Sequence, residues 1–278
     1  MDVLKRNGER ELFDKHKFLS SLSKAGFSDD QINNAFEKIE RSLYDGIATD
    51  EIYDKAHEVL KDIEVLEPVI KYSLKRAVLE LGPSGFPFEK LISRIYEENG
   101  YTTQTGIVLQ GNCIEHEIDI VAYNEDELIL IEAKFHNEQH TKSDTKVALY
   151  VKARYDDLLD SIFEFEGKER KVTEALLITN TGFTNNSKRY VECAGTFKMI
   201  SWTYPRSAGL LKMIEDAHIH PITSITELSK SEKMTLIDNG IIYCKDLARD
   251  PDILRVLNAS KEKEARILEL SRQICNGH

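Results

Sequence analysis

Asp119, Glu132 and Lys134 are the residues of this sequence whose types and spacing point to chemistry. Asp119 stands within Glu115-His-Glu-Ile-Asp-Ile-Val-Ala-Tyr123, and Glu132 and Lys134 close the run Leu128-Ile-Leu-Ile-Glu-Ala-Lys134. Side chains two apart on a strand share a face, so Glu132 and Lys134 point the same way. A run as apolar as Leu-Ile-Leu-Ile belongs inside a sheet, where an acid and a lysine are costly without a task. Asp119 on the neighbouring strand brings a second carboxylate to the same edge. Two carboxylates offer hard oxygens that suit Mg²⁺ or Mn²⁺, and an adjacent ammonium can orient or activate a water at such a centre. The same residues also admit a structural reading: a Glu132–Lys134 ion pair at a strand end, with Asp119 an ordinary acid near a turn.

Positioning these groups requires the two runs to pair. The polar stretch Asn124-Glu-Asp-Glu127 between them predicts a hairpin, with Ile118, Ile120 and Ala122 on one face of its first strand and Glu117, Asp119 and Val121 on the other. The chain has 278 residues, enough for two or three domains, and its 41% hydrophobic and 31% charged content describes a soluble globular protein. No apolar run has membrane-spanning length, and Met-Asp-Val-Leu-Lys-Arg at the start lacks a signal-peptide core. Cys113, Cys193, Cys244 and Cys275 are scattered and form no Cys-x-x-Cys pair, so a reducing, cytoplasmic setting is expected. The net charge of −11 opposes long-range attraction to nucleic acid, though residues 221–278 are balanced at 9 basic against 9 acidic.

The chain begins with a predicted hairpin over residues 2–14, turning at Asn7-Gly8. Four helices follow: one capped by Asp14 and stopped by Gly26, one from Ser28 or Asp29, one capped by Thr49, and one from about Pro68 to Leu81. Val3-Leu-Lys-Arg-Asn-Gly8, Glu11-x-Phe-Asp14-x-x-Lys17-Phe18, Gly46-Ile-Ala-Thr49-Asp-Glu-Ile52 and Tyr72 resemble the ATP-cone, the nucleotide-sensing domain of many ribonucleotide reductases. The resemblance covers residues 1–82 and implies an adenine nucleotide, ATP or dATP, as effector. It implies Lys5, Arg6 and Lys17 on the phosphates, polar contacts from Glu11 and Asp14, Thr49 at the pocket mouth, and Val3 in the same set. The chain has no Gly-x-x-x-x-Gly-Lys-Ser/Thr loop, which argues against ATP as a fuel. Read without the resemblance, Lys5-Arg6 is also compatible with solvated hairpin charge.

After the junction Gly82-Pro-Ser-Gly85, the pattern predicts a helix from Phe86, strands over 101–109 and the central hairpin, and a helix over 146–165. A buried strand at 175–180, a helix near Ser187 and a last strand at 197–202 complete it. That order resembles the restriction-endonuclease-like fold, and Asp119…Glu132-Ala-Lys134 resembles its Asp…(Asp/Glu)-x-Lys signature. Phe88-Glu89 and Thr179-Asn-x-Gly-Phe-Thr-x-x-Ser-Lys188 are most similar to the Mrr-like subfamily, where many members have Gln in place of Glu132. Over residues 85–205 the resemblance implies Asp119, Glu132 and the Ala133 carbonyl as metal ligands, Lys134 positioning the attacking water, and Glu89 approaching from the first helix. Glu89 also reads as a solvated acid favoured by the helix dipole. His116 reads as a packing or surface residue and His136 as a solvated one. Thr184, Asn185 and Lys188 suit a phosphate at a helix start, and the first two suit capping equally.

Residues 220–278 read as a small helical module, where Leu236-x-x-Asn239-Gly-Ile241 and the following helix resemble helix-hairpin-helix modules. The copy lacks the full Gly-x-Gly, so packing or protein contact competes with DNA contact. The resemblances together imply a fold of three parts: a hairpin plus four helices, an α/β sheet domain, and an all-α end. They imply a metal-dependent DNA endonuclease regulated by adenine nucleotide, self-associating and with no membrane partner. The alternatives are a nucleotide-responsive DNA-binding regulator on a degenerate nuclease fold, and a nuclease for junctions or RNA.

Overall fold

The computed structural model describes residues 1–5, 8–61 and 66–276, which divide into two compact units at Lys75/Arg76. Arg6 and Asn7 of the first hairpin, and Ile63 of the third helix, lie outside the described residues.

In the first unit, β1 (Asp2–Leu4) pairs antiparallel with β2 (Arg10–Leu12), placing Val3 opposite Glu11. Asp14 caps α1 (Lys15–Ala25) by accepting from the Lys17 N–H at 2.9 Å, and Gly26, at φ 99°, ends it. Ser28 and Gln31 form a capping box on α2 (Asp29–Glu40). A third strand, β3 (Ile47–Ala48), runs parallel to β1 and makes the hairpin a three-stranded sheet. Two residues are too few to show a period of two, which is why the sequence reading stops at a hairpin. Helices α3 (Thr49–Lys61) and α4 (Leu66–Leu79) follow, with the unit boundary inside α4. Val3, Ile47 and Ile52 form one small core, and Leu22, Ile32, Ile39, Ala56 and Leu60 belong to another.

The second unit is organised by a five-stranded sheet. Helix α5 (Phe86–Glu98) leads into β4 (Thr102–Gln110), β5 (Glu115–Tyr123) and β6 (Leu128–Lys134). Then come β7 (Lys142–Ser143), α6 (Thr145–Leu158), a hairpin of β8 (Ile162–Phe165) and β9 (Lys168–Lys171), and β10 (Glu174–Thr179). After these, β11 (Gly182–Phe183), α7 (Asn185–Ala194) and β12 (Lys198–Ile200) complete the layer. The sheet order is β12-β10-β6-β5-β4, antiparallel from β4 to β6 and parallel from β6 to β12. Helix α5 packs on β4, β5 and β6. The other face meets α6 and α7 in a core that includes Val121, Tyr123, Leu128, Leu130, Val151, Tyr155 and Val191. Both faces of the central hairpin are thus buried, and the expected polar face of β5 is confined to its first half. The helix expected over 146–165 stops at Leu158. Glu166 and Gly167, both at positive φ, turn the chain instead, and Ile162 to Phe165 alternate as a strand.

The C-terminal segment contains α8 (Leu210–Ala217), α9 (Lys230–Asp238), α10 (Cys244–Arg249) and α11 (Lys261–Asn276). It belongs to the same compact unit as the sheet. Thr223 donates to the Ala77 carbonyl at 2.5 Å, Tyr243 to the Lys90 carbonyl at 2.5 Å, and Lys245 pairs with Glu98 at 2.5 Å. The N–H groups of Asn239, Gly240 and Ile241 donate to α9 carbonyls and close that helix. Among the described residues no helix is long and apolar enough to cross a membrane.

His220, 9% exposed, lies in this segment with its Nδ1 unpartnered, and burial, reinforced by His218, holds its pKa down at about 4. An unfolded histidine titrates near 6.5, so the unfolded chain takes the proton first. The stability that this group contributes is present above about pH 6.5 and is lost as the pH falls toward about 4. His220→Leu removes the titration, and the variant should lose on the order of 3 kcal/mol less stability than the parent across that window. Urea unfolding of both proteins at several pH values checks this.

Candidate active site at the sheet fork

The β5–β6 ladder begins at Tyr123↔Leu128 and ends at Ile120↔Ile131. Beyond that point β5 continues beside β4 as far as Gln110↔Glu115, and β6 continues beside β10 as far as Thr179↔Lys134. The two strands part, and a backbone N–H at such a fork needs a new acceptor. Asp119 provides it: its Oδ2 accepts from the Ala133 N–H at 2.7 Å. The fork thereby draws Asp119 toward Glu132, whose neighbour it would have been had the ladder continued.

Glu132 is half-buried, and its partner is Arg154 of α6 rather than Lys134. Arg154 Nη1 donates to Glu132 Oε2 and, at 3.0 Å, to the Glu117 carbonyl. Its Nη2 donates to the Tyr150 hydroxyl at 2.7 Å. Lys134 is exposed and has no ion pair among the described residues, so the Glu132–Lys134 pair is not formed. Burial pushes the Glu132 carboxyl up to about 7; the Asp119 charge adds to this, and Arg154 and Lys134 offset only part of it. Burial also raises Asp119, against the Ala133 N–H and the Arg154 charge. Glu89, in the first turn of α5, is raised by burial and then by the charges of Asp119 and Glu117. Three carboxylates therefore lie within electrostatic reach of one another at one end of the sheet.

His116, His136, Thr184 and Lys188 have structural partners. His116 Nε2 lies 2.9 Å from Asp157 Oδ2, and Asp157 also accepts from the Cys113 and Ile114 N–H groups. His136 is not solvated: its Nε2 is 2.9 Å from Ser143 Oγ, and burial, aided by Lys134, lowers its pKa. Asn180, 1% exposed, bonds both the N–H and the carbonyl of His136 at 2.8 Å, extending the β6–β10 pairing just past Lys134. Thr184 caps α7 through the Ser187 N–H at 3.2 Å, and Lys188 Nζ sits 4.3 Å from the centre of the Tyr204 ring.

Asp119, Glu132 and the Ala133 carbonyl are a donor set of hard oxygens, which fits Mg²⁺ or Mn²⁺ better than a softer ion. Burial first, and neighbouring acids second, raise these carboxyl pKa values, and a divalent cation would offset that cost. Among the described residues, no three His, Cys, Asp or Glu side chains converge as a ready-made metal cage. Arg154, 22 residues from Glu132 in sequence, was invisible to motif reading, because a lone basic residue on a helix carries no signal of what it faces.

In the first unit, Lys5 Nζ pairs with Glu11 at 2.7 Å and with Glu9 at 3.9 Å. Val3 is buried, Asp14 caps α1, and Thr49 opens α3. Burial lowers the pKa of Lys75, and the nearby Lys17 charge lowers it further. Lys75 and Lys17 therefore lie within electrostatic reach of one another, a proximity that the sequence does not announce, since Lys75 is one of several basic residues on α4. Tyr53 and Tyr72 stack with ring centres 5.2 Å apart.

At the fork, Asp119→Asn retains an oxygen for the Ala133 N–H while removing a charge. The titration midpoint of Glu132 should then fall below its value of about 7. Carboxyl-carbon NMR of both proteins measures this, and an unchanged midpoint would separate the two acids electrostatically.

Comparison with known proteins matches residues 1–78 to the ATP cone domain, residues 82–204 to the restriction endonuclease domain, and residues 220–275 to the AF1548-like C-terminal domain. An uncharacterized protein of Archaeoglobus fulgidus is 31% identical over 184 residues, spanning 66% of this chain and 99% of that protein. The crystal structure of the protein of unknown function AF1548 superposes with a TM-score of 0.54 at 30% identity, covering 70% of this chain and all of that one. The MspJI restriction endonuclease, solved with a 27-mer oligonucleotide, is a far weaker match: TM-score 0.34 and 12% identity over 72% of this chain and 39% of its own. The chain belongs to the AF1548-like family, and carries an ATP cone domain ahead of its restriction endonuclease domain.

Proposed function

We propose that this protein is a divalent-metal-dependent endonuclease that hydrolyses DNA phosphodiester bonds under the control of an adenine nucleotide. The observation that carries the reading is the fork, where the β5–β6 ladder stops and Asp119 takes the Ala133 N–H beside Glu132 and Lys134. Asp119, Glu132 and the Ala133 carbonyl would hold the ion, which when bound would supply positive charge for phosphodiester hydrolysis. Lys134, exposed at the end of β6, orients the attacking water by donating from its ammonium. Glu89 borders the same space and adds an acceptor at the site edge. Glu132 serves as a ligand only when ionised, so burial that pushes its carboxyl to about 7 favours activity on the alkaline side.

Replacement of Asp119, Glu132 or Lys134 by Ala should each abolish cleavage while the fold survives. Members of one catalytic unit should cost several kcal/mol of transition-state stabilisation, on the order of 3 or more, without adding. Cleavage of DNA, RNA and branched substrates with Mg²⁺ or Mn²⁺, alongside circular dichroism, provides the measurement. Undiminished cutting by a purified Asp119 or Glu132 variant overturns the assignment.

The nucleotide reading rests on the ATP cone match and on the cations Lys5, Lys17 and Lys75 of the first unit, with Arg6 assigned from its motif alone. ATP or dATP acts there as an effector. Its effect reaches the fork through the chain segment between α4 and α5. A Cβ on Gly82 would sit 2.5 Å from Asn137 Oδ1 and 2.8 Å from the Phe135 ring. Asn137 Nδ2 also donates to the Pro83 carbonyl at 3.3 Å. Phe135 directly follows Lys134 and Asn137 lies three residues beyond it, so a shift of the linker is felt beside the proposed catalytic lysine. ATP should change the cleavage rate by about 5–150-fold, the range of ordinary allosteric coupling, and a non-hydrolysable analogue should do the same. The Lys5→Ala, Arg6→Ala double variant should lose the response and retain basal cutting. Absence of adenine-nucleotide binding in calorimetry with the wild-type protein would end this part of the reading.

A further inference from the structure

The Arg154 side chain is only 12% exposed, and its charge faces the fork from α6. A guanidinium has five N–H donors in a planar fork, and a buried one needs acceptors for them. Glu132 and the Glu117 carbonyl take Nη1, the Tyr150 hydroxyl takes Nη2, and the Tyr150 ring lies 4.9 Å from the guanidinium carbon. Nε, also buried, has no partner. Two of the partners, the Glu117 backbone carbonyl and the hydroxyl of the exposed Tyr150 one turn away on α6, do not depend on Glu132. The arm therefore stays at the fork even when Glu132 turns elsewhere.

A purely structural ion pair accounts poorly for this arrangement. Buried pairs offset their own desolvation only when the buried donors are satisfied, and here the buried Nε is not. The pair also involves a carboxylate that, on the nuclease reading above, is needed by a divalent cation. A guanidinium and a metal ion repel each other and compete for the same oxygens. Releasing Glu132 frees part of Nη1 beside the unused Nε, which leaves donors for an anion such as a phosphate oxygen.

We propose that Arg154 is a tethered cation of the site: it balances Glu132 when no divalent ion is present, and passes to a phosphate oxygen of the bound strand when the ion takes the carboxylate. The proposal rests on the metal-dependent reading and adds to it a positive group that exchanges one anionic partner for another. Arg154 thus restrains metal binding in the absence of nucleic acid and supports binding of nucleic acid once the metal is in place.

The test compares full-length wild type, Arg154→Met and Arg154→Lys at about pH 8.5, where carboxylates are ionised. Mn²⁺ is titrated calorimetrically without DNA. Losing the competing cation should tighten Mn²⁺ binding about tenfold in Arg154→Met, whereas Arg154→Lys, which keeps the charge, should stay within about threefold of wild type. Binding of a short duplex in the presence of Ca²⁺ should weaken about tenfold in Arg154→Met, as expected for loss of a charge-assisted phosphate contact. Unchanged Mn²⁺ affinity, or unchanged duplex affinity, in Arg154→Met overturns the proposal. Should Arg154→Met fail to fold, Tyr150→Phe, which loosens the arm and keeps its charge, must shift both affinities in the same directions by about twofold or more, and no shift overturns it. A wild-type protein that binds Mn²⁺ but cleaves no nucleic acid refutes the nuclease reading, and the Mn²⁺ comparison still decides the part played by Arg154.

Discussion

The hydrogen bond from the Ala133 N–H to Asp119 is the interaction on which the site depends. A sheet that splits between two strands exposes backbone groups that water satisfies poorly at a half-covered edge, and leaving one unmade costs roughly 1–3 kcal/mol. Asp119 meets that need and, by doing so, is held beside Glu132. The same bond therefore ends the ladder and assembles the acids. A carboxylate suits both tasks, since it has oxygens to spare after accepting one N–H.

Electrostatics at this end of the sheet run against stability. Glu89, Asp119 and Glu132 each have a raised carboxyl pKa, with burial as the leading cause and neighbouring acids adding to it. Such groups are harder to ionise when folded than when unfolded, so at neutral pH they cost free energy rather than supply it. Arg154 relieves part of this load. The cores elsewhere carry the expense: Tyr155, fully buried, ties α6 to the sheet through the Leu176 carbonyl at 2.7 Å and the Leu130 carbonyl at 3.2 Å. A firm sheet with an uncomfortable rim is the usual compromise between stability and function.

Much of this was legible in the residues. Asp14, Gly26 and Ser28 mark helix ends because their side chains or backbone freedom meet local needs that travel with the sequence. The hairpin around Asn124–Glu127 was equally plain, since Asn124 Oδ1 accepts from the Asp126 and Glu127 N–H groups of its own turn. What escaped is non-local or very short. Strand β3 consists of two residues, and its pairing with β1 spans more than forty positions. The β8–β9 hairpin turns at Glu166-Gly167, where a glutamate at φ 53° is an uncommon choice. Arg154 meets Glu132 only because α6 crosses the sheet at one particular angle, and nothing in its own neighbourhood announces that.

The seat of Gly82 against Phe135 and Asn137 bears on how such a chain is built from parts. The junction is composed like a spacer, and its Pro83 and Ser84 are exposed, yet its first glycine is seated against the endonuclease domain, where even one methyl group would collide with its neighbours. The natural seam for exchanging or removing the nucleotide-binding part therefore lies upstream, within α4 near the Lys75/Arg76 division. A fusion that swapped partners at Gly82 itself would have to bring its own glycine, whereas one made a turn or two earlier would inherit an intact endonuclease scaffold.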